Sequence, residues 1–487
     1  MRISKGFIKS SLIYTLAGML PMASALLLLP FYIAGLDTSV YGALSIYLAF
    51  SLLIQILVTY SFDTALYIYF HEYKNDQQKL ASFISSAFML MVIIGVGVSV
   101  VLFAIGDISF RYIFSDKPVS FYPYGLLAAG AGIFQALFKV HSNLLQSREK
   151  PELFFWSNLI SFLMIAAFTI LGLIIYPQTL VGPVGGRLLA ALFSGFWALG
   201  RIVDEFGWHF NFQLLRASFS FNFYAFIYQL QQWVINYFDR FVMLFFLPLS
   251  SIGVYDFAVK CLLIIEFILN GLHNSFYPKV VKGMMVQEEK KSTPEINRYY
   301  NVFTAVIMLL TCFCILVIPV GIDWFVTSGH FKAKPDYLLS MAYIPFIAVL
   351  YLIRPIRLYF AVPYNILKYT KPLPWVYILV SATKIIFMVV LITSMKIYGV
   401  IISSAISAVL EFFLLQYYMR QKFKYEYNLS KIMVAPLVLL AVIVVGELLL
   451  VQNSVFVHFF YLFLCGILLF WVYRHEVKYL DIRNLIK

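Results

Sequence analysis

The sequence contains few charged residues. Asp, Glu, Lys and Arg make up only 12% of its 487 residues, whereas 62% are hydrophobic, and the mean hydropathy is +0.87. Soluble globular domains carry about 25% charged and about 45–50% apolar residues. The composition therefore excludes an ordinary soluble protein and predicts an all-α polytopic membrane protein.

Cysteine motifs, nucleotide-binding loops and long polar segments are missing as well. The four cysteines lie in apolar runs without a CxxC spacing or a histidine cluster, so we expect no metal site. No glycine-rich nucleotide-binding loop occurs, which argues against an ATPase. The longest polar segment, 279–298, is too short for a folded domain. We therefore predict that the protein is not an enzyme and has no cofactor.

Hydrophobic runs of about 18–30 residues alternate with short loops along the chain. The first run continues to Tyr32, which predicts a retained helix and not a signal peptide. About fourteen transmembrane helices are predicted, at 10–35, 41–71, 80–105, 119–147, 152–176, 182–201, 216–247, 251–278, 299–326, 336–366, 373–395, 397–419, 431–450 and 454–473.

The basic residues predict the orientation of these helices. With the N-terminus in the cytoplasm, 24 of the 36 Lys and Arg residues fall on the cytoplasmic side, 5 on the other side and 7 within the spans. This asymmetry favours two cytoplasmic termini. It also accounts for the net charge of +13 through loops and lipid headgroups, so nucleic-acid binding is not indicated.

A weak internal repeat links the two halves of the chain. Three pairs of residues correspond at offsets of 211, 211 and 217: Lys5 with Arg216, Gly42 with Gly253, and Gly182 with Gly399. Since each repeat holds six helices, an even number, the repeats are predicted to be parallel. We therefore predict an N-terminal lobe over 1–205, a C-terminal lobe over 206–425, a central cavity, and two further helices with a cytoplasmic tail over 426–487.

The predicted helix 216–247 carries too many polar groups for an ordinary span. At 100° per residue, six of them fall within roughly a third of the circumference. They are Asn222, Gln229, Gln232, Asn236, Asp239 and Arg240. Polar side chains at membrane depth cost several kcal/mol unless they face protein or water. We therefore predict that this stripe lines a cavity or a helix interface.

Three stretches of the chain resemble one transporter family. The second helix ends in Asp63-Thr64-Ala65-Leu66 and continues to Glu72. This resembles the "DTAL…RF…E" end of helix two in Wzx-type polysaccharide flippases of the multidrug/oligosaccharidyl-lipid/polysaccharide exporter superfamily. Segments 144–150 and 335–399 resemble the loop between helices four and five and helices ten to twelve. Tyr67 departs from the pattern, because the family often has an arginine one or two positions later.

The resemblance implies a two-lobed transporter with a central cavity that opens alternately to either side. The substrate it implies is an undecaprenyl-pyrophosphate-linked oligosaccharide, moved from the cytoplasmic to the outer leaflet of a bacterial inner membrane. Lipids, and possible polysaccharide polymerase and export proteins, are the partners expected of what we predict to be a monomer.

Cations within the spans are the candidates to balance the phosphate charge of such a substrate. Arg354 and Arg357 lie three residues apart on one face of helix ten, and arginine suits phosphate oxygens. We predict a substrate path formed by Arg354, Arg357, Arg240, Lys139, Lys260, Asn236, Gln232 and Gln229. A headgroup contact for the two arginines and an Asp256–Lys260 pair remain open alternatives.

Acidic residues within the spans are candidates for coupling to H⁺ or Na⁺. They are Asp63, Asp239 and Glu266, and a fixed salt bridge is the alternative for each. Asp239 points about 100° away from Arg240 on an ideal helix, so we predict that it is poorly placed to pair with that arginine.

Three alternative functions remain. A lipid II flippase is the nearest. A multidrug or cation antiporter of the same superfamily would have twelve helices and an acidic cavity. A membrane glycosyltransferase, polysaccharide polymerase or ligase would need a large or acidic external loop, and the first predicted external loop offers only Asp37.

Overall fold

The fold is described from a computed structural model, which covers residues 5–115, 117–286, 294–328, 333–366, 369, 371–420, 427–439, 441 and 455–478. These residues form helices and connecting turns and contain no strand. The long helices are α1 (Lys5–Gly35), α2 (Thr38–Thr59), α3 (Phe62–Tyr73), α4 (Gln77–Ile113), α5 (Leu126–Ser147), α6 (Pro151–Ile175), α7 (Val181–Phe206), α8 (Phe212–Phe246), α9 (Leu249–Cys261), α10 (Leu263–Val286), α11 (Pro294–Thr327), α12 (Ile344–Ile366), α13 (Leu373–Met395), α14 (Ile397–Arg420) and α15 (Val455–Lys478).

Eleven helices in the described part of the chain are long and apolar enough to cross a membrane. The protein is therefore an all-α, multi-pass membrane protein, as the composition predicted. The predicted spans 216–247, 251–278 and 431–450 are not among the eleven. The first of these forms α8, whose 35 residues are long enough but carry the polar stripe. The second is divided into α9 and α10, and the third lies partly outside the described residues. A total of fourteen stays a prediction.

The helices form two compact units, Met1–Asp256 and Phe257–Lys487. In the first unit, α5 packs against α2, α3 and α7, while α6 packs against α1 and α7. In the second unit, α14 packs against α12 and α13, and α11 packs against α10, α12 and α15. The lobe boundaries at 205 and 425 stay predictions.

The second predicted span is two helices and not one. Tyr60 and Ser61, between α2 and α3, both have left-handed backbone conformations, with φ of 42° and 57°. Residues with a Cβ avoid this region, so two in succession interrupt the helix. The break ends α2 at Thr59 and starts α3 at Phe62, which places Asp63 in the first turn of a new helix.

Two glycines that correspond in the repeat pack against each other within the first unit. A Cβ added to Gly42 of α2 would lie 2.9 Å from the backbone nitrogen of Gly253 and would collide with the carbonyl oxygen of Leu249 in α9. A Cβ on Gly253 would collide in turn with the carbonyl oxygen of Thr38. The two glycines therefore let α2 and α9 approach each other closely, while the parallel repeat itself stays a prediction.

The second glycine pair of the repeat has the same packing role in both units. A Cβ on Gly182, near the start of α7, would collide with the backbone of Gly172 in α6. A Cβ on Gly399, near the start of α14, would lie 2.6 Å from the backbone carbonyl of Leu391 in α13. In each unit a glycine therefore lets a helix begin in close contact with the helix before it.

Candidate functional site

The first polar cluster of the structure is centred on Asp63. Its side chain is only 6% exposed, although it is a carboxylate in a membrane-spanning bundle. Its position in the first turn of α3 places it near the positive end of the helix dipole. The helix break at Tyr60–Ser61 thus creates a local environment that favours a buried anion.

Two other helices supply the partners of Asp63. The Lys139 ammonium of α5 lies 2.8 Å from Asp63 Oδ2. Gln229 Nε2 of α8 donates to both carboxylate oxygens, at 3.0 and 3.2 Å. The structure therefore brings together a predicted coupling acid and two predicted substrate-binding residues, which lie far apart in the sequence. We call Asp63, Lys139 and Gln229 the inner triad.

Several polar atoms on the chain segments that carry Asp63 and Gln229 are buried without a hydrogen-bond partner in the described structure. They include Ser61 Oγ, Gln229 Oε1, Gln232 Nε2 and both side-chain polar atoms of Asn222. Buried polar groups are normally hydrogen-bonded, so each of these atoms calls for an explanation such as a bound water or ion or a functional role. Of the predicted polar stripe, Gln229 is the residue that α8 contributes to the inner triad.

A second cluster lies at the far end of the same stripe and is closed. The Arg240 guanidinium donates to Asp256 Oδ1 at 2.8 and 3.1 Å, to Asp239 Oδ1 at 2.6 Å, and to the carbonyl oxygen of Asn236. Tyr255 donates to Asp239 Oδ2 at 2.7 Å. The side chains of Asp239, Arg240 and Asp256 are buried, so this network joins α8 to α9.

The prediction that Asp239 is poorly placed to pair with Arg240 is wrong. Asp239 Oδ1 accepts the backbone N–H of Arg240 at 2.9 Å, which turns the carboxylate toward its neighbour. The long arginine side chain then reaches the same oxygen. Asp256, which the sequence pairs most simply with Lys260, accepts from Arg240.

Arg357 is the described member of the predicted arginine pair. Its Nε lies 3.7 Å from Glu411 Oε1 of α14, and the two side chains are 29% and 5% exposed. Arg354 also belongs to α12, but its side chain lies outside the described part of the chain.

Lys260 is in the last turn of α9 and Glu266 in the first turn of α10. No group of three or more metal ligands occurs among the described residues.

Three residues of these clusters, Tyr255, Asp256 and Glu411, are absent from the predicted sets of substrate-binding and coupling residues. Asp256 is predicted only as the alternative partner of Lys260. Tyr255 has no sequence signal that would distinguish it from the many other tyrosines of this chain. Glu411 does have one, because an acid in the middle of an apolar helix needs a partner on another helix. Nothing in the sequence says which basic residue that partner is.

Solved structures that resemble this chain are membrane transporters. The lipid II flippase MurJ in an inward closed conformation is 15% identical, with a TM-score of 0.72 over 99% of this chain and 100% of that one. An inward-facing multidrug resistance MATE family transporter of the MOP superfamily is 14% identical, with a TM-score of 0.62 over 83% of this chain and 95% of that one. The MATE multidrug transporter DinF-BH in complex with R6G is 13% identical, with a TM-score of 0.56 over 86% of this chain and 96% of that one. The fold is therefore similar to that of these transporters.

The sequence specifies the family within this fold. Residues 7–284 match the model of the polysaccharide biosynthesis protein family, and the chain belongs to that family. It is thus a multi-pass membrane protein of the polysaccharide biosynthesis family whose fold is similar to that of known transporters. The resemblance to Wzx-type transporters is confirmed at this level. No curated protein matches the chain significantly.

Proposed function

We propose that this protein flips an undecaprenyl-pyrophosphate-linked oligosaccharide from the cytoplasmic to the outer leaflet of a bacterial inner membrane. The observation that carries the proposal is the Lys139 ammonium. It is 35% exposed in a bundle made mostly of apolar side chains, and it is held there by the buried Asp63. Family membership supplies the link to polysaccharide synthesis.

A pyrophosphate group crosses hydrocarbon only along a path that offers cations. Lys139 is one such cation in the first unit. Arg357 is a second in the other unit, and it too is partly exposed and paired with a buried carboxylate. Arg354, one helical turn away from Arg357, and Lys260 complete the proposed path. The polar groups of Gln229, Gln232 and Asn236 would contact the sugars.

Arg240 has a different role in this proposal. Its donors are taken by two carboxylates and a backbone carbonyl, and its side chain is buried. We infer that it fixes the junction of α8 and α9 while the cations with partial exposure meet the substrate. Asp63, Asp239 and Glu266 remain the proposed positions for coupling to H⁺ or Na⁺. The transporter would act by alternating access between the lobes at 1–205 and 206–425, with both termini in the cytoplasm.

A complementation experiment tests this function. Deletion of the gene should abolish surface polysaccharide and leave lipid-linked oligosaccharide in the cytoplasmic leaflet, and the wild-type gene should restore export. The double variant Arg354→Ala/Arg357→Ala should be expressed normally but fail to restore export, because both cations of α12 are lost. Arg111→Ala is the control, since Arg111 forms an exposed pair with Asp107. Normal export in the double variant would contradict the arginine path.

A lipid II flippase is the second candidate, because the fold similarity to MurJ extends over 99% of this chain. Both substrates would present a lipid-linked pyrophosphate, so the cations fit either. The two are separated by asking whether the gene sustains growth when the host's lipid II flippase is depleted. Our proposal predicts no growth there and restored surface polysaccharide in the deletion strain.

A further inference from the structure

The Lys139–Asp63 ion pair is asymmetric, because its anion is buried and its cation is partly exposed. The exposed fractions of the two side chains are 35% for Lys139 and 6% for Asp63. A ligand that enters from outside therefore meets the ammonium before the carboxylate. An ammonium has three N–H donors. Among the described residues Asp63 is the acceptor that Lys139 reaches, so donors remain for a ligand.

Asp63 is also stabilised by groups that do not depend on Lys139. Gln229 Nε2 donates to both of its oxygens, and the first turn of α3 favours a negative charge. When the ammonium moves away, the carboxylate therefore keeps a hydrogen-bond donor and a favourable helix end. A pair whose buried anion retains such support can open at a moderate cost.

The Arg240 cluster in the same unit shows the opposite arrangement. Arg240, Asp239 and Asp256 are all buried, and the guanidinium bonds to both carboxylates. Breaking one partner of such a network leaves an uncompensated buried charge, which is strongly destabilising. The first unit therefore holds one buried ionic network, around Arg240, and one ion pair, Lys139–Asp63, whose cation is partly exposed.

We propose that Asp63 is an internal counter-anion that competes with a phosphate group of the substrate for Lys139. Without substrate, Lys139 is paired with Asp63. When a lipid-linked pyrophosphate binds, the ammonium moves from the carboxylate to a phosphate oxygen, and Gln229 keeps Asp63 in place. No covalent bond changes, because one anion replaces another beside the same cation. The inference rests on the proposed function for the identity of the ligand.

The counter-anion sets how tightly the transporter binds its substrate. The apparent dissociation constant equals the intrinsic one divided by the fraction of molecules in which Lys139 is free. If the pair is open about one-tenth of the time, affinity falls about tenfold, which favours release on the far side. The two partners of the pair therefore have opposite predicted effects, since removing Asp63 tightens binding and removing Lys139 weakens it. A purely structural ion pair would lose binding in both cases.

The test measures binding of undecaprenyl pyrophosphate to the purified full-length protein in detergent. Asp63→Asn, which keeps the shape and an acceptor for Gln229, should tighten binding about tenfold. Lys139→Gln should weaken it at least as much, and Lys139→Arg should retain binding. The matched control is Glu476→Gln. Lys431 Nζ lies 2.6 Å from Glu476 Oε1, with exposed fractions of 25% and 10%, so this pair has a similar geometry in the other unit. It should leave binding unchanged.

Three results would overturn the exchange. In the first, Asp63→Asn and Lys139→Gln both weaken binding of undecaprenyl pyrophosphate. In the second, Glu476→Gln tightens that binding as much as Asp63→Asn does. In the third, Asp63→Asn tightens binding of phosphatidylglycerol as much as binding of undecaprenyl pyrophosphate. Inorganic pyrophosphate is the second probe. Tightening for the lipid and for the free anion supports a phosphate contact, whereas tightening for the free anion alone contradicts a lipid-borne ligand. A monodisperse elution profile shows that each variant is folded.

The experiments can contradict this inference and the proposed function independently of each other. If wild-type protein restores surface polysaccharide but Asp63→Asn does not tighten binding, the function stands and the exchange is wrong. If Asp63→Asn tightens binding but the wild-type gene does not restore export, the exchange stands and the proposed function is wrong.

Discussion

Replacing Gly42 with alanine should destabilise the first unit more than any conservative change on a helix surface. A Cβ there would lie 2.9 Å from the nitrogen of Gly253 and 3.0 Å from the carbonyl carbon of Leu249. Comfortable separations are about 3.5–4.0 Å. The atoms it meets are backbone and cannot rotate away, so α2 and α9 would have to move apart.

The magnitude follows from two opposing effects. Overpacking costs about 1–3 kcal/mol and occasionally more. Alanine is better than glycine within a helix by about 1 kcal/mol. At Gly97 of α4 an added Cβ would meet nothing within 4 Å, so Gly97→Ala experiences only the second effect. Both glycines lie within helices, so the second effect is common to the two variants, and their free energies of unfolding should differ by the overpacking cost, about 1–3 kcal/mol.

The assay is unfolding of the purified protein in detergent, followed by loss of the monodisperse peak after heating. Gly42→Ala should unfold at a lower temperature than wild type, and Gly97→Ala at the same or a higher one. Gly253→Ala should behave like Gly42→Ala, and the double variant should cost less than the sum, because both changes separate the same helices. If Gly42→Ala and Gly97→Ala unfolded together, the close crossing of α2 and α9 would be refuted.

Two further predictions concern the polar stripe of α8. Tyr255→Phe removes the hydroxyl that donates to Asp239, so it should lower the free energy of unfolding by about 1.5–3 kcal/mol, measured by the same assay; unchanged stability would argue against the closed cluster. Cysteines placed at Gln229, Gln232 or Asn236 should react with a water-soluble thiol reagent in whole cells. If all were as inert as a cysteine on the exposed apolar face of α4, a water-accessible wall would be ruled out.

Much of the inner triad could be predicted from the sequence, but only as separate residues. Asp63, Lys139 and Gln229 are each conspicuous, because polar groups within apolar runs need a reason to be there. The contact among the three residues depends on the tertiary packing, since three helices contribute one residue each. The break before Asp63 has no sequence signal, because Tyr60 and Ser61 adopt backbone conformations that glycine usually takes.

The ionic network of Arg240 shows where an argument from helix geometry fails. Angular spacing describes the direction of Cβ atoms, whereas arginine and aspartate side chains bend back toward the same backbone segment. Glycine correspondence gave a better guide. Gly42 with Gly253, and Gly182 with Gly399, were matched through short local similarities at offsets of 211 and 217, and each pair has reciprocal or equivalent packing in the structure. Close backbone approach depends on one small residue, so a glycine is a readable signal of it in the sequence, while the repeat itself stays a prediction.

The central claim is that the protein moves a lipid-linked oligosaccharide between leaflets with the help of Lys139. The most direct measurement reconstitutes the protein in liposomes that carry undecaprenyl-pyrophosphate oligosaccharide and follows its exposure to an impermeant glycan-cleaving enzyme. Wild-type protein should expose the inner-leaflet pool with time, and Lys139→Gln should not, although it incorporates equally well. Exposure no faster than in protein-free liposomes, or equal exposure by Lys139→Gln and wild type, would contradict the account.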